Sequence, residues 1–150
     1  MGAKNSGHGV GVHLILIADD SVLLGLRENT GFGDGYWSTP GGGLERGEAA
    51  KQAVIREARE EIGISLAPED LALTHVCHHF DPDGNARIGL YFTTRRWTGE
   101  PINAEPDKCT KLAWHPLDAL PDNTVGYARH AITAAAGGVL YSEHDWPDAS

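Results

Sequence analysis

Hydrophobic and polar positions change period several times along this chain, and each change marks an element. Residues 10–17 form an apolar run interrupted only by Gly11 and His13, and Asp19-Asp20-Ser21 then turns the chain into a second run over 22–27. Two short apolar runs about a polar turn predict a β-hairpin. In the second run Leu24 and Leu26 share one face while Leu23, Gly25 and Arg27 share the other, which sets the Arg27 guanidinium beside a residue without a side chain. Gly31, Gly33 and Gly35 mark a flexible loop, followed by an extended piece over 36–39 that Pro40 stops.

Over 48–62 the pattern becomes helical: Ile55, Ala58 and Ile62 form an apolar stripe, with Ala50 and Ala53 near a separate, open face. Gly63 predicts the helix end, because glycine adopts the left-handed conformation at least cost. Segments 71–80 and 86–94 flank Asp81-Pro82-Asp83-Gly84-Asn85, whose composition predicts a second hairpin. Ile88, Leu90 and Phe92 alternate with Arg87, Gly89 and Tyr91, giving one apolar face and one mixed face suited to a pocket. A last strand is predicted over 111–115, a helical turn over 116–120, and a second helix over 124–136 ended by Gly137 and Gly138. These elements make one mixed α/β domain over 10–140, between a flexible N-terminal tail (1–9) and a C-terminal tail (141–150) anchored only by Trp146.

Charge narrows the range of partners. The formal net charge is -9, with 12 Lys and Arg against 21 Asp and Glu, too little basic surface for a polymeric nucleic acid. A small anionic substrate stays in play, because a bound cation inverts the local field. Cys77 and Cys109 fit no disulfide framework, which points to a reducing, cytoplasmic setting. No apolar run approaches the roughly 18 residues of a membrane span.

The candidate chemistry sits on the first helix. Glu57, Glu60 and Glu61 lie three and four residues apart on one turn, where like charges repel, and at the helix end the macrodipole disfavours for anions. Pairing of Glu60 with Arg56 is the ordinary alternative. A cation would reverse the penalty, and hard oxygen ligands suit Mg²⁺, with Mn²⁺ as a substitute. Pro40, Gly41, Gly42 and Gly43 precede the helix with a backbone able to approach a ligand closely. His75, Cys77 and His79 share a strand face, but residues two apart are roughly 6.5 Å from each other, so a core or pocket role is favoured over zinc. Trp37, Phe80, Arg87 and Tyr91 are candidates for base stacking or phosphate contact, although aromatic residues in strands are more often core.

Gly42, Glu48, Arg56, Glu57, Ala58, Glu60, Glu61, Gly63 and Ile64 reproduce a fixed pattern: Gly, five residues, Glu, seven residues, Arg-Glu-aliphatic, one residue, Glu-Glu, one residue, Gly-aliphatic. This resembles the box of the Nudix hydrolases. Trp37-Ser38-Thr39-Pro40-Gly41-Gly42 resembles the approach to that box, and Trp114-His115-Pro116-Leu117-Asp118-Ala119-Leu120-Pro121 the family's closing strand and turn, so the resemblance spans about 10–136. It implies an α/β/α sandwich with a mixed central sheet and hydrolysis of a nucleoside diphosphate linked to another group. Carried over, Glu57 and Glu61 would be metal ligands with the Gly41 carbonyl, and Glu60 would bind a second metal or help deprotonate water. The general base would be Glu57 or Glu60. Arg56 would orient the carboxylates and Glu48 would brace the loop. The candidates for substrate contact are Arg27, placed by its strand position to reach a phosphate, with Gly42, Gly43, Arg87 and Tyr91, and Gly63 ends the helix.

The stretch Ala104-Glu105-Pro106-Asp107-Lys108-Cys109 ahead of Trp114 resembles one in family members that cleave nucleoside triphosphates, some of them sanitising modified purine nucleotides, although these often carry histidine where this chain has Gly43. The expected activity is therefore hydrolysis of a nucleoside triphosphate to monophosphate and pyrophosphate. The alternatives are another diphosphate (nucleotide sugar, ADP-ribose or prenyl diphosphate) and a nucleotide sensor without turnover. A homodimer is compatible with either.

Overall fold

The longest strand, β1 (Gly9–Ala18), organises the sheet in this computed structural model, which describes residues 8–81 and 84–147. Residues 1–7 of the expected N-terminal tail, Pro82 and Asp83 of the second turn and the last three residues lie outside the described residues. Asp19, in left-handed conformation (φ 53°), turns the chain into β2 (Ser21–Arg27), with Ala18 and Ser21 as register partners. β3 (Trp37–Ser38) and β4 (Gly41–Gly43) follow, then α1 (Ala50–Ile62) and the hairpin of β5 (Ala72–Phe80) and β6 (Ala86–Thr94). β7 (Cys109–Pro116), α2 (Gly126–Ala136) and β8 (Tyr141–His144) complete the order.

β1 runs parallel to β6 and antiparallel to β2 and β4. The sheet order is β3-β2-β1-β6-β5-β8, with β4 paired to β1 and β7 to β2. Alternation along β1 divides the core. Val12, Leu14 and Leu16 face α1 and pack with Ala53, Val54, Ala58 and Ile62. Ile15 and Ile17 face α2 and pack with Tyr91, Cys77, Ala131 and Ile132. Each large apolar side chain so buried contributes about 1.5–3 kcal/mol. A mixed sheet with one helix on each face is the α/β/α sandwich that the sequence resemblance implies.

Several local expectations change. The glycine turn is itself a strand, β4, because Gly41, Gly42 and Gly43 pair with His13, Val12 and Gly11. The helix opens at Ala50 rather than at residue 48: Gln52 Oε1 accepts the Ala49 N–H at 3.1 Å, while the Glu48 carboxylate is engaged elsewhere. Ala53 is fully buried and Ala50 packs against the same cluster, so these alanines let helix and sheet approach rather than leaving space above the carboxylates. The turn expected after β7 forms, with the Ala119 N–H donating to the Pro116 carbonyl at 3.1 Å, and α2 opens at Gly126 rather than at residue 124.

The expected C-terminal tail holds a strand. β8 lies parallel to β5, with Val76 opposite Tyr141 and His79 opposite His144. His75, fully buried in β5, donates Nδ1–H to the Val139 carbonyl at 2.8 Å and accepts at Nε2 from the Ser142 hydroxyl at 2.7 Å. A histidine that needs two partners explains why the chain returns to the sheet.

β4 is held by a backbone contact that no side chain could share. A Cβ at Gly41 would stand 2.1 Å from the Val12 carbonyl oxygen and 3.0 Å from the His13 Cα. We expect Gly41→Ala to cost about 1–3 kcal/mol or more, read as a lowered urea midpoint at unchanged m-value.

Candidate active site

The contact between β4 and α1 builds the site. A Cβ on Gly42 would fall 1.7 Å from a Glu57 carboxylate oxygen, so a side chain there would force that carboxylate to swing away from the strand. The Gly41 N–H donates to Glu61 Oε1 at 3.2 Å, tying the same strand to the next turn of helix. Gly43 is exposed, and a Cβ there would meet nothing within 4 Å.

Arg56 is the hub of the acidic face. Its Nε and Nη2 donate to the two Glu48 oxygens at 2.7 and 3.0 Å, and Glu48 also accepts the Glu45 N–H at 3.1 Å. The Arg56 Nη1 donates to Glu57 and to Glu60, each at 3.1 Å, and lies 3.7 Å from Glu45. One guanidinium thus serves four carboxylates, and its bonds to Glu48 in particular raise its pKa further. Gly63, at φ 70°, closes the helix with its N–H on the Arg59 carbonyl.

Glu61 lies inside this cluster without a cation of its own. Burial, then the neighbouring Glu57, then Glu105 push its pKa up to about 8, against the lowering effect of the Gly41 N–H. Glu57 is also raised, chiefly by burial and partly by Glu60, while Arg56 opposes the rise. Glu57 and Glu61 are thus neighbouring carboxyls, the charge of the first raising the proton affinity of the second. Two buried carboxyls with raised proton affinity are short of compensating positive charge, and their hard oxygens fit a divalent cation of the Mg²⁺ type. As the side chains stand, no three His, Cys, Asp or Glu among the described residues converge on one point, because Arg56 holds Glu57 and Glu60 and the Gly41 N–H holds Glu61.

Two lobes open beside the carboxylates. The first, of about 260 Å³, is bounded by Glu61, Glu105, Lys108, Cys109, Gly25 and Leu112. The second, of about 510 Å³, is bounded by Gly11, His13, Phe32, His79, Arg87 and Tyr127, with Gly42 and Gly43 at one side. Arg27, Ser38, Thr39 and Gly41 line both. Arg27 donates Nε–H to the Phe32 carbonyl at 2.7 Å and Nη2–H to Thr30 Oγ1 at 3.0 Å, which pins the glycine loop at the junction. In the second lobe His79 stacks on Tyr127 at 4.3 Å, and His13 stacks on Tyr91 at 4.4 Å. Burial, then His79 and Arg27, lower the His13 pKa to about 3, so its ring is neutral.

The predicted site residues divide accordingly. Glu48, Arg56, Glu57, Glu60, Glu61 and Gly41 come together at the acidic face, and Arg27, Gly42, Gly43 and Arg87 line the lobes. Arg87 donates Nε–H to Asp81 at 2.7 Å at the rim. Tyr91 is the exception. It is fully buried beneath His13, in the core under α2, and cannot contact a substrate. Trp37 is likewise core, and Phe80 packs on Trp146 at 5.2 Å. Of the histidine pair flanking Cys77, His79 reaches the second lobe while His75 stays in the core.

Sequence reasoning assigned no role to Glu105, His13, Phe32, Asp81 or Tyr127. Glu105 lay within a stretch already noted, and His13 interrupts an otherwise apolar strand, which is a usable signal. Tyr127 gave none, since a tyrosine at helical spacing reads equally as core.

The model of the NUDIX domain matches residues 7–135. An uncharacterised Nudix hydrolase of Bacillus subtilis, YvcI, is 31% identical over 106 residues, covering 69% of this chain and 63% of the relative. An 8-oxo-dGTP diphosphatase of Proteus vulgaris is 36% identical over 81 residues, covering 54% of this chain and 70% of that protein. The crystal structure of a MutT NUDIX hydrolase from Burkholderia pseudomallei superposes with a TM-score of 0.78 at 31% identity, covering 85% of this chain and 97% of the other. With a family match over most of its length, and with the box residues gathered against the β4 backbone, the chain belongs to the Nudix family.

Proposed function

We propose that this protein is a divalent-metal-dependent pyrophosphohydrolase that cleaves nucleoside triphosphates to a monophosphate and pyrophosphate. The observation that carries the reading is the junction at Gly41, where an acidic, cation-deficient cluster meets two lobes of different character. The Glu-Pro-Asp-Lys-Cys stretch and the likeness to an 8-oxo-dGTP diphosphatase support a nucleoside triphosphate, including modified ones, as the substrate. The two free cysteines suit a cytoplasmic enzyme.

Glu57 and Glu61, with Glu60 and the Gly41 carbonyl, would hold Mg²⁺ or Mn²⁺. Such an ion, when bound, neutralises a pyrophosphate and lowers the pKa of water. The rest falls to the chain's own groups. Glu60, the more exposed of the trio, is free to exchange its bond to Arg56 for a proton from water, with Glu57 the competing base. Arg56, fixed by its two bonds to Glu48, keeps the carboxylates facing the lobe when those exchanges occur. Arg27 at the junction and Arg87 at the rim supply positive charge to the phosphates.

Incubation with a panel of nucleotides, nucleotide sugars, ADP-ribose and prenyl diphosphates, with products resolved by chromatography, decides the substrate. Release of pyrophosphate from triphosphates alone is expected, and cleavage confined to another diphosphate class overturns the triphosphate reading. Glu57→Gln is expected to lower kcat on the order of 10³-fold. Tight nucleotide binding without turnover, unaltered by that substitution, would instead mark a sensor.

The raised carboxyl gives a second expectation. Because Glu61 is held near 8 in the native state against 4.5 as the reference, the native protein binds more protons between those values, and its metal-free stability falls as pH rises through them. Urea denaturation in chelator should show this contribution as a loss on going from about pH 5.5 to about pH 8.5. Mg²⁺ added near pH 7 should release up to about one proton per site, declining above pH 8, as read by titration calorimetry in buffers of different ionisation heat.

A further inference from the structure

The floor of the second lobe is paved with glycine. In the β1–β6 register Gly11 lies opposite Gly89, and His13 opposite Tyr91, so two bare positions adjoin two ring-bearing ones. A Cβ on Gly11 would stand 3.5 Å from His13 Nε2, and one on the buried Gly89 would stand 3.2 Å from Tyr91 Cε1 and 3.5 Å from both His13 Nε2 and Cδ2. The Nε2 edge of His13 therefore overlooks the gap. Tyr91 stacks beneath this imidazole, Tyr127 meets it edge-on at 6.2 Å, and Phe32 stacks on the outer side of Tyr127 at 6.1 Å. A glycine floor with aromatic walls is a slot for a flat heteroaromatic ring.

Most polar groups around the slot are committed. Arg27 bonds Phe32 and Thr30 through Nε and Nη2 while keeping its charge for the junction, and Arg87 and His79 both bond to Asp81. Asp81 accepts only, so it fixes His79 as the Nδ1–H tautomer. His13 differs. Its Nδ1 pairs with Thr39 Oγ1 at 3.1 Å, and no group among the described residues bonds its Nε2. A hydroxyl both donates and accepts. When Thr39 donates to Nδ1, Nε2–H is a donor to the slot; when Thr39 accepts from Nδ1–H, Nε2 is an acceptor. The Tyr127 hydroxyl, also without a partner among the described residues, is equally two-sided.

We propose that His13, switched between donor and acceptor by Thr39, contacts the ring edge of the substrate base, and that this lobe consequently admits bases of opposite hydrogen-bond polarity instead of selecting one. The inference rests on the triphosphate reading for its assignment of the slot to the base. A reader of fixed polarity leaves a buried group unpaired with the wrong base and rejects it strongly, whereas a reader that can invert pairs with both.

The test uses two pairs of triphosphates. Inosine and adenosine triphosphates invert the edge carrying N1 and the 6-substituent, and dGTP and 8-oxo-dGTP exchange an acceptor for a donor at N7. Affinities are measured by equilibrium titration with Mg²⁺ on the Glu57→Gln protein, so that turnover does not intervene. Within each pair the dissociation constants are expected to agree within about tenfold. In the Thr39→Val background the His13 ring should settle as the Nε2–H tautomer, because a buried N–H without a partner is rarer than a bare acceptor. One pair should then shift by about tenfold toward the base presenting an acceptor, and His13→Phe should weaken all four ligands.

A preference beyond tenfold in either pair before the Thr39 change, or ratios that Thr39→Val leaves unmoved, overturns the proposal. Circular dichroism establishes that His13→Phe folds, and Thr39→Val decides the matter if it does not. Triphosphate binding without turnover by the unsubstituted protein would sink the hydrolase reading while leaving these ratios to decide the slot. Turnover unaffected by either slot substitution would do the reverse.

Discussion

Everything in the site depends on how closely two backbones and a helix approach one another. Gly41 lies against the Val12 carbonyl at a distance that leaves no room for a single methyl group, and Gly42 lies directly against the Glu57 carboxylate. That contact fixes the Gly41 N–H on Glu61, sets the floor shared by both lobes, and holds α1 down on β1 through Ala53 and Ala58. Small residues are thus used twice, in β4 to bring main chain to the carboxylates and in α1 to bring the helix to the sheet. The electrostatic cost of that proximity appears in Glu57 and Glu61, whose proton affinities rise because burial removes them from water faster than any resident cation compensates.

Arg56 limits that cost without removing it. Its guanidinium pairs with Glu45, Glu48, Glu57 and Glu60, while Glu61, which lines the first lobe, has no such pair among the described residues. The cluster is therefore graded, with carboxylates compensated on the solvent side and undercompensated where a substrate would enter. A site uniformly satisfied by arginine would have little affinity left for a cation, and one without arginine would place five glutamates in mutual repulsion.

The chemistry of the acidic face was legible in the sequence because it depends on spacing along one helix, and spacing is what a sequence displays. The strands about Asp19 and Asp20 and the helix end at Gly63 were legible for the same reason: turn and cap residues act locally. The lobes were not. Their walls come from β1, β5, β6, the loop at Phe32 and the first turn of α2, and whether Tyr91 or Tyr127 faces the lobe depends on which side of the sheet α2 covers. Alternation placed Arg87, Gly89 and Tyr91 on one face correctly, but α2 then buries the end of that face and leaves only its beginning open. β4 is not legible in the sequence because glycine has low strand propensity, which pairing with β1 outweighs here.

The imidazole of His75 carries a consequence for where this unit ends. Both its nitrogens are satisfied by chain that follows α2, at Val139 and Ser142, beyond the last residue of the family match at 135. The family pattern therefore stops short of what this fold requires to close. An insert designed on the pattern alone would carry a buried aromatic base with two empty hydrogen-bonding positions at the heart of β5, and the exposed flank of that strand would invite pairing with foreign chains. The segment from 139 to 144 acts as an edge guard for the sheet, secured by a polar bond from within.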